Sequence, residues 1–302
     1  MKNIGFKAVA SVLSLGIVFT SYAGNKDRAG QSGASEMLIN PWAQSTGIFG
    51  LDVSNVRGIA AMKVNIAGLS FTENMEAGVS HSRYLSGSGV SINNAGVAYR
   101  VSESAVVGVN AMSMNFGEID ITTIDAPEGT GAKYRPSFLN VSLGFAKEFS
   151  HKIRGGVNTT FITEQLGNIS AVGASIDAGI QYVTGQDDNL HIGIALRNAG
   201  TNMRFSGGGF YSDNETTIGS VSKATPQEKF QLPTYMTLGF GYDFYLDEKN
   251  RQGEAKPFHR LTALGSFTSN SFNNDYIGAG VEYAFKERFM VRGAYRYEKD
   301  IM

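Results

Sequence analysis

The sequence predicts an all-β protein, a transmembrane antiparallel β-barrel preceded by a short N-terminal segment. Three observations predict it. Apolar and polar residues alternate over many segments of about ten residues, which is the strand pattern of such barrels. Glycine is abundant, at 37 of 302 residues, and glycine is poorly tolerated in helix interiors. No later segment is apolar over the roughly 20 residues that a spanning helix needs, so a membrane-bound chain has to cross as a barrel.

The first residues predict an exported protein. Two lysines precede an uncharged apolar stretch from Ala8 to Thr20, and Ser21-Tyr22-Ala23 supplies the small residues that a signal peptidase reads. The alternative is a membrane-anchoring helix, but the stretch is shorter than the roughly 20 residues that such a helix needs. Residues 1–23 are therefore predicted to be a signal peptide, and the mature protein is expected in the outer membrane of a bacterium.

Eleven strands are predicted within residues 71–302, the expected barrel. They are placed at 75–85, 88–101, 104–116, 136–149, 152–165, 168–183, 189–198, 232–245, 257–268, 275–285 and 288–298. Short turns alternate with longer connections at 117–134 and 199–228, as in barrels with short periplasmic turns and long external loops. Bacterial single-chain barrels have an even number of strands. The odd count therefore indicates either a miscounted strand or a barrel that lacks C-terminal strands, and the second is favoured because the sequence stops just after a well-formed strand.

The two faces of these strands differ in composition. One face is aliphatic and aromatic, whereas the other is mostly Gly, Ala, Ser and Asn with an occasional charge. A soluble sandwich would carry more charge on its second face, so this pattern favours a narrow polar lumen. Aromatic residues near the segment ends resemble the girdles at the two membrane interfaces: Tyr99, Phe116, Phe138, Phe149, Tyr235, Phe244, Tyr245, Phe258 and Phe289.

No enzyme chemistry is predicted. The net charge of -1 leaves no basic surplus for nucleic acid, and the absence of cysteine removes thiol nucleophiles and thiolate metal sites. The four histidines show no ligand spacing. Ser220-Val221-Ser222-Lys223 matches a motif of penicillin-recognising enzymes, but it lies in a polar loop where that chemistry requires a helix. We therefore predict no catalytic residue, no metal and no cofactor.

Residues 24–70, the hatch segment, carry a family resemblance. Arg28–Ala34, Leu38–Pro41, Gly47–Val53 and Asn65–Leu69 resemble the mature N-terminus of the PorV/PorQ family of outer-membrane proteins of the Bacteroidetes, with Ile66 where the family has proline. Such families resemble the fatty-acid transporter FadL, so the resemblance implies a fourteen-stranded barrel, three strands more than are present here. It also implies an N-terminal hatch. The residues themselves leave three arrangements open: a plug that fills the lumen, a segment against the periplasmic mouth, or a loosely ordered leader. The candidate hatch residues are Trp42, Ile48, Asn65, Gly68 and Leu69.

The same resemblance implies a role in the type IX secretion system. A barrel of that kind binds secreted cargo proteins through their C-terminal signal domains and hands them to other secretion-system components at the cell surface. The candidate partner contacts lie in the long loop 201–231 and are Met203, Phe205, Phe210 and Tyr211. The alternatives are a FadL-like transporter of hydrophobic small molecules and a purely structural protein.

Two arrangements of the lumen would separate these hypotheses. A hydrophobic tunnel beneath Trp42 and Ile48 would favour transport. A lumen sealed by charged residues, together with apolar external loops, would favour partner binding. The charged residues concerned are Arg154, Arg197, Arg292 and Glu282.

Overall fold

The structure is a computed structural model that describes residues 28–208, 211–216, 219–224, 227–247 and 258–298. The predicted signal peptide, residues 1–23, lies outside these ranges. The strands are β1 (Met75–Arg83), β2 (Ser91–Arg100), β3 (Ala105–Asn115), β4 (Ile119–Asp120), β5 (Lys133–Tyr134), β6 (Ser137–Ser150), β7 (Ile153–Leu166), β8 (Ile169–Thr184), β9 (Leu190–Gly200), β10 (Ser206–Gly207), β11 (Tyr211–Thr216), β12 (Gly219–Ala224), β13 (Tyr235–Tyr245), β14 (His259–Asn270), β15 (Tyr276–Phe285) and β16 (Phe289–Glu298).

The long strands form one antiparallel sheet in the order β1-β2-β3-β6-β7-β8-β9-β13-β14-β15-β16. Each of the eleven predicted strands is confirmed, with ends that shift by at most a few residues. The starts of β2 and β13 shift most, by three residues each. β13 begins at Tyr235, two residues after Pro233; proline has no N–H for a sheet hydrogen bond. The pairs β4–β5 and β11–β12 are hairpins inside the long connections, and β10 pairs with β8.

The connections divide between two ends of the sheet. The turns 101–104, 151–152 and 286–288 lie at one end, here called the turn end. The connections 84–90, 116–136 and 201–234 lie at the other, here called the loop end. The split follows from the antiparallel order, which returns the chain to the same end after every second strand.

The outer face of the sheet is apolar. Outward-pointing side chains alternate with inward-pointing ones along every long strand, and many remain about half exposed: Val109, Leu143, Phe161, Ile180, Val281. The inward residues between them are small or polar, such as Asn110, Gly144 and Thr160. The predicted all-β antiparallel fold is confirmed. No helix among the described residues is long and apolar enough to span a membrane.

The sheet curves around the hatch segment. Short helical turns make up this segment: Ser35–Leu38, Ala43–Thr46, Leu51–Ser54, Gly58–Lys63 and Ile66–Phe71. Trp42 packs against Gly78 of β1, while Leu51 packs against Gly278 of β15. Because β1 and β15 lie near opposite edges of the sheet, both can reach one short segment only if the sheet curls into a barrel.

Glycines on the inner wall form the seat of the hatch segment. Gly96, Gly108 and Gly144 lie on neighbouring strands and face Ile59, Met62 and Ile66. The same arrangement continues around the wall at Gly179, Gly193, Gly239 and Gly278. A side chain at these positions would occupy the space that the segment fills. Close packing inside the barrel therefore explains part of the high glycine content.

Candidate functional site: the filled lumen

The candidate hatch residues lie inside the barrel. Ile48 and Leu69 are fully buried, as is Asn65. Trp42 is partly buried and packs on the apolar cluster formed by Ile59, Met62 and their neighbours. Around Ile48 the space is filled by side chains, among them those of Leu51 and Leu264. The structure thus places a packed apolar floor where an open tunnel was one of the two expectations.

Asn65 links the floor to the wall through three hydrogen bonds. Its Nδ2 donates to the carbonyl oxygen of Val53 (2.9 Å) in the hatch segment and to that of Ile180 (3.0 Å) in β8. Its Oδ1 accepts from the N–H of Ala67 (3.2 Å), which caps the last helical turn. Position 68 requires glycine, because an added Cβ there would lie 2.1 Å from the carbonyl oxygen of Val56. The Asn65–Leu69 motif therefore has a packing function that its sequence did not disclose.

Arg100, at the turn end of β2, fastens the end of the hatch segment. Its guanidinium donates to the carbonyl oxygens of Ser70 (2.7 Å) and Thr72 (2.9 Å). A second attachment involves Phe71. The guanidinium carbon of Arg57 lies 4.5 Å from the centre of the Phe71 ring, and that of Arg154 in β7 lies 4.0 Å from it. Such cation–π contacts contribute most when they are shielded from water. Arg100 and Arg154 of the wall therefore attach the segment at the turn end.

An apolar cluster lines the mouth of the lumen at the loop end. Ala34 and Met37 of the hatch segment meet Ile162 of β7 and Leu232. Met203 is fully buried in this cluster, and its backbone pairs with Phe230 through two 2.9 Å hydrogen bonds. The Phe205 ring packs on the Phe230 ring at 5.7 Å.

Met203 and Phe205 therefore line the mouth, whereas the sequence predicted exposed partner contacts on the loop. Phe210 lies outside the described residues, and of Tyr211 the structure describes only the backbone in β11. The sequence predicted that the loop 201–231 exposes these residues to a partner. Instead, its two ends fold back over the lumen, because Ser206–Gly207 pairs with β8 and Met203 pairs with Phe230.

A second apolar cluster completes the mouth on the side of β2, β3 and β6. Ile39 of the hatch segment packs against Ile92 and Met112. The Phe116 and Phe138 rings meet edge to face at 4.8 Å within the same cluster. These two phenylalanines therefore point toward the lumen, which corrects the prediction that they belong to a girdle on the outer face.

A polar layer lies on the wall between the mouth and the floor. Asn110 donates to Asn94 (2.8 Å), and Ser142 and Thr160 share a 2.9 Å hydrogen bond. Sequence analysis recognised polar lumen residues but not this layer, since its members come from separate strands. The remaining contacts are Asn158 to Asp177 (2.9 Å) and Arg197 to Asp177 (3.2 Å).

Two charged residues of the hatch segment face this layer. Glu36 and Lys63 are both buried, and each is within electrostatic reach of the other. Burial raises the pKa of Glu36, and the charge of the nearby Lys63 acts in the opposite direction. Burial lowers the pKa of Lys63 to about 8, and the nearby Arg197 acts in the same direction. The hatch segment thus carries two ionisable groups whose charged forms are disfavoured where they lie.

We expect the seating of the hatch segment to strengthen as pH rises from about 8 to 10.5. When the segment is released into water, the Lys63 amine has the ordinary lysine pKa of 10.5. When the segment is seated, burial lowers that pKa to about 8. Between those values the released state binds more protons than the seated state, so seating gains up to about 3 kcal/mol. Hydrogen exchange of residues 42–70 at pH 7, 8, 9 and 10 measures this gain.

Lys63→Met isolates the effect from other groups that titrate in this range. The variant is expected to be seated more firmly than wild type at pH 7 and to lose the alkaline gain. Lys63→Arg keeps a charge at all these pH values and is expected to stay weakly seated. Identical pH profiles for wild type and Lys63→Met would contradict the prediction.

Ion pairs occupy the inner wall on the side of β9, β13, β14 and β15. His191 lies 3.0 Å from Asp243, and Arg260 contacts both Asp243 (3.3 Å) and Glu282 (3.0 Å). Arg292 also pairs with Glu282. Elsewhere on the wall Arg154 pairs with Glu148 (3.3 Å). The four charged residues proposed to seal the lumen, Arg154, Arg197, Arg292 and Glu282, are all ion-paired on the inner wall.

The histidines lie apart from one another. Besides His191, His81 contacts Asn93, His151 contacts Glu148 and His259 contacts Tyr283. Within the described ranges, no group of three or more His, Asp or Glu side chains is arranged to hold a metal ion.

These features define a class: an antiparallel β-barrel whose lumen is filled by its own N-terminal segment. The Pseudomonas putida toluene transporter TodX is similar at 13% identity and a TM-score of 0.46, over 83% of this chain and 81% of that chain. The CymD monoaromatic hydrocarbon channel is similar at 13% identity and a TM-score of 0.40, over 87% and 93%. A TodX deltaS2S3 mutant is similar at 14% identity and a TM-score of 0.47, over 85% and 82%. No protein-family profile and no curated relative matches the chain.

Proposed function

We propose that this protein is a non-enzymatic outer-membrane barrel that transports small hydrophobic molecules, with the hatch segment as its gate. The observation that carries the proposal is the stacking inside the lumen, which the hatch segment closes where an open tunnel was expected of a transporter, so that transport requires this segment to move. An apolar mouth built around Met37, Met203 and Phe138 lies above a removable floor formed by the hatch segment. A hydrophobic molecule can leave water at the mouth, and it then meets a segment that is separate from the wall.

The outer face supports a membrane location. Its apolar side chains extend along every long strand, and an exposed apolar surface of this extent is unfavourable in water. In a bilayer the same side chains are solvated by lipid, while the strands between β1 and β16 have their backbone hydrogen bonds satisfied by neighbours on both sides. We assign the loop end to the cell exterior because long loops face outward in such barrels. Residues 1–23 would direct export.

The glycine seat supports a movable hatch. The segment packs against bare backbone at positions such as Gly144 and Gly239, and its side-chain contacts with the wall are mainly apolar. Direct side-chain hydrogen bonds to the wall come from a few residues, chiefly Asn65, Arg100 and Gln181. Displacing the segment therefore breaks few specific contacts and leaves the strand pairing intact.

A reversible crosslink tests the gate. An ideal Cβ on Gly239 would lie 3.0 Å from the Cβ of Val53, close to the roughly 3.5–4.5 Å that a disulfide spans. Because the chain has no cysteine, Val53→Cys with Gly239→Cys creates a unique pair. We expect the oxidised pair to abolish uptake of the hydrophobic dye 1-N-phenylnaphthylamine by cells whose outer membrane otherwise excludes it, and reduction to restore the uptake.

Each single cysteine variant serves as the control and is expected to transport under both conditions. Mass spectrometry of the purified protein establishes that the crosslink has formed. Undiminished uptake through a fully crosslinked hatch would refute the gate, and no uptake by wild type would refute transport.

A second candidate, a type IX secretion component that binds cargo signal domains, is favoured by one observation. The β4–β5 hairpin at the loop end exposes Ile119, Ile121 and Ile124, and Ile124 is fully exposed. Exposed aliphatic residues on an external loop suit a protein partner. Affinity purification of the detergent-solubilised protein would recover cargo with shared C-terminal domains in that case. Replacing the three isoleucines by serine would then abolish recovery while leaving dye uptake unchanged.

A further inference from the structure

The apolar outer face contains a depression that polar side chains border. It lies across β1, β2, β3 and β6, near their loop ends, and encloses about 460 Å³. Small side chains form its base, those of Ala95, Ala111 and Ser113, while Val79 and Leu139 flank it. A barrel wall facing lipid is expected to present a continuous band of larger apolar side chains at this level.

Polar side chains border the depression on the side of the loop 84–90. His81 of β1 pairs in register with Asn93 of β2, and Asn93 in turn pairs with Ser113 of β3. The Nδ1 of His81 lies 2.8 Å from the Oδ1 of Asn93. Since a carbonyl oxygen only accepts, Nδ1 donates this hydrogen bond, and the ring is held with its Nε2 free to contact a ligand.

The charge at this border is positive. Arg83 points to the same face as His81, two residues closer to the loop, and it is exposed. The acidic residue of β1 to β3, Glu76, points inward toward Gly58, and the loop 84–90 contains no acid. Glu118, in the next connection, is engaged by Lys133 and Arg135. An anion beside His81 and Arg83 would therefore meet no opposing carboxylate on these strands.

We propose that this depression binds a phosphate-bearing membrane lipid, with one acyl chain over Ala95 and Ala111 and the phosphate at Arg83 and His81. The inference rests on the membrane location proposed above. The occupant is a lipid because the depression opens onto the apolar outer face, which a soluble phosphate compound would not reach. Arginine and histidine donate to phosphate oxygens from one side, while the small residues leave room for the chain.

Native mass spectrometry of the detergent-solubilised protein tests the proposal. Phosphatidylglycerol is compared with a diacylglycerol of the same acyl chains, which lacks the phosphate. We expect the wild-type protein to retain phosphatidylglycerol at least about tenfold more than diacylglycerol, as a charge-assisted phosphate contact predicts. Arg83→Gln combined with His81→Gln is expected to remove this preference. Ala111→Leu, which fills the base of the depression, is expected to lower retention of both lipids.

Lys147→Gln is the matched control, because Lys147 is an outward cation of β6 near the turn end. It should leave the preference unchanged. Equal retention of the two lipids by wild type, or an equal loss in Lys147→Gln, would overturn the proposal. Folding of the wild-type chain into phosphatidylcholine vesicles is measured separately. Failure to insert there refutes the membrane location, whereas insertion without lipid preference refutes only the lipid site.

Discussion

Gly193→Val is expected to expel the Leu51–Ser54 turn from its seat on β9. An added Cβ at position 193 would lie 2.3 Å from the carbonyl oxygen of Val53 and 2.7 Å from the Cα of Ser54. All the nearest atoms are backbone atoms, so no side-chain rotation relieves the overlap. Overpacking costs about 1–3 kcal/mol where side chains can adjust, and we expect at least the upper end of that range here. Hydrogen exchange of residues 48–56 measures the loss of protection.

The same variant is expected to open the lumen. Dye uptake should rise above that of wild type, because the displaced turn no longer closes the floor. Gly293→Val in β16 provides the control, since nothing lies within 4 Å of a Cβ added there. That variant should keep both the protection and the basal uptake. Normal protection of residues 48–56 in Gly193→Val would show that the seat is looser than described.

Asn65→Asp is expected to release the end of the hatch segment although it changes a single amide to a carboxylate. The Nδ2 of Asn65 now donates to two carbonyl oxygens, of Val53 and Ile180. A carboxylate oxygen there can only accept, so both carbonyls lose their donor, at about 1–3 kcal/mol each. Burial of the new charge adds to this cost. We expect a loss of about 3–5 kcal/mol in the seating of the segment.

Proteolysis and hydrogen exchange of residues 58–71 report the effect of Asn65→Asp. The substitution Asn74→Asp serves for comparison, because it introduces the same charge outside the lumen. Asn74 is exposed just before β1. Lowering the pH should partly restore the seating in Asn65→Asp, since a protonated carboxyl donates one hydrogen bond. Equal protection in the two variants would mean that Asn65 fills space without holding the segment.

The strands were predictable because their period-two pattern depends only on neighbours along the chain. The pattern could not show which of two adjacent polar residues faces inward. Asn93 lies on the outer face and Asn94 in the polar layer, although both are asparagines at the start of β2. The direction follows from the pairing with β3, which depends on residues far along the chain. The composition likewise showed that glycine is abundant. It could not show that these glycines form a seat for the hatch segment, because the seat depends on contacts between distant parts of the chain.

The candidate site was predictable in part. A short motif indicated that Asn65, Gly68 and Leu69 matter, and all three lie buried within the lumen. The contacts of Asn65 with Ile180 and of Gln181 with Val53 span more than a hundred residues, so no local pattern contains them. The sequence predicted Met203 to be a partner contact because it lies with aromatic residues in a long loop. Its burial depends on pairing with Phe230, which local composition does not encode.

The course of the hatch segment constrains how the barrel assembles. Arg28 lies at the loop end, with its guanidinium 4.4 Å from the centre of the Phe272 ring, whereas Thr72 lies at the turn end beside Arg100. The chain therefore passes through the whole length of the lumen before it enters β1. Once the strands had curled, this segment could enter only along the length of the lumen or between the unpaired edges of β1 and β16, whereas strands that curl around a segment already in place need no such passage. We therefore expect the strands to fold around the N-terminal segment, so that the segment and the strands fold together in one cooperative step.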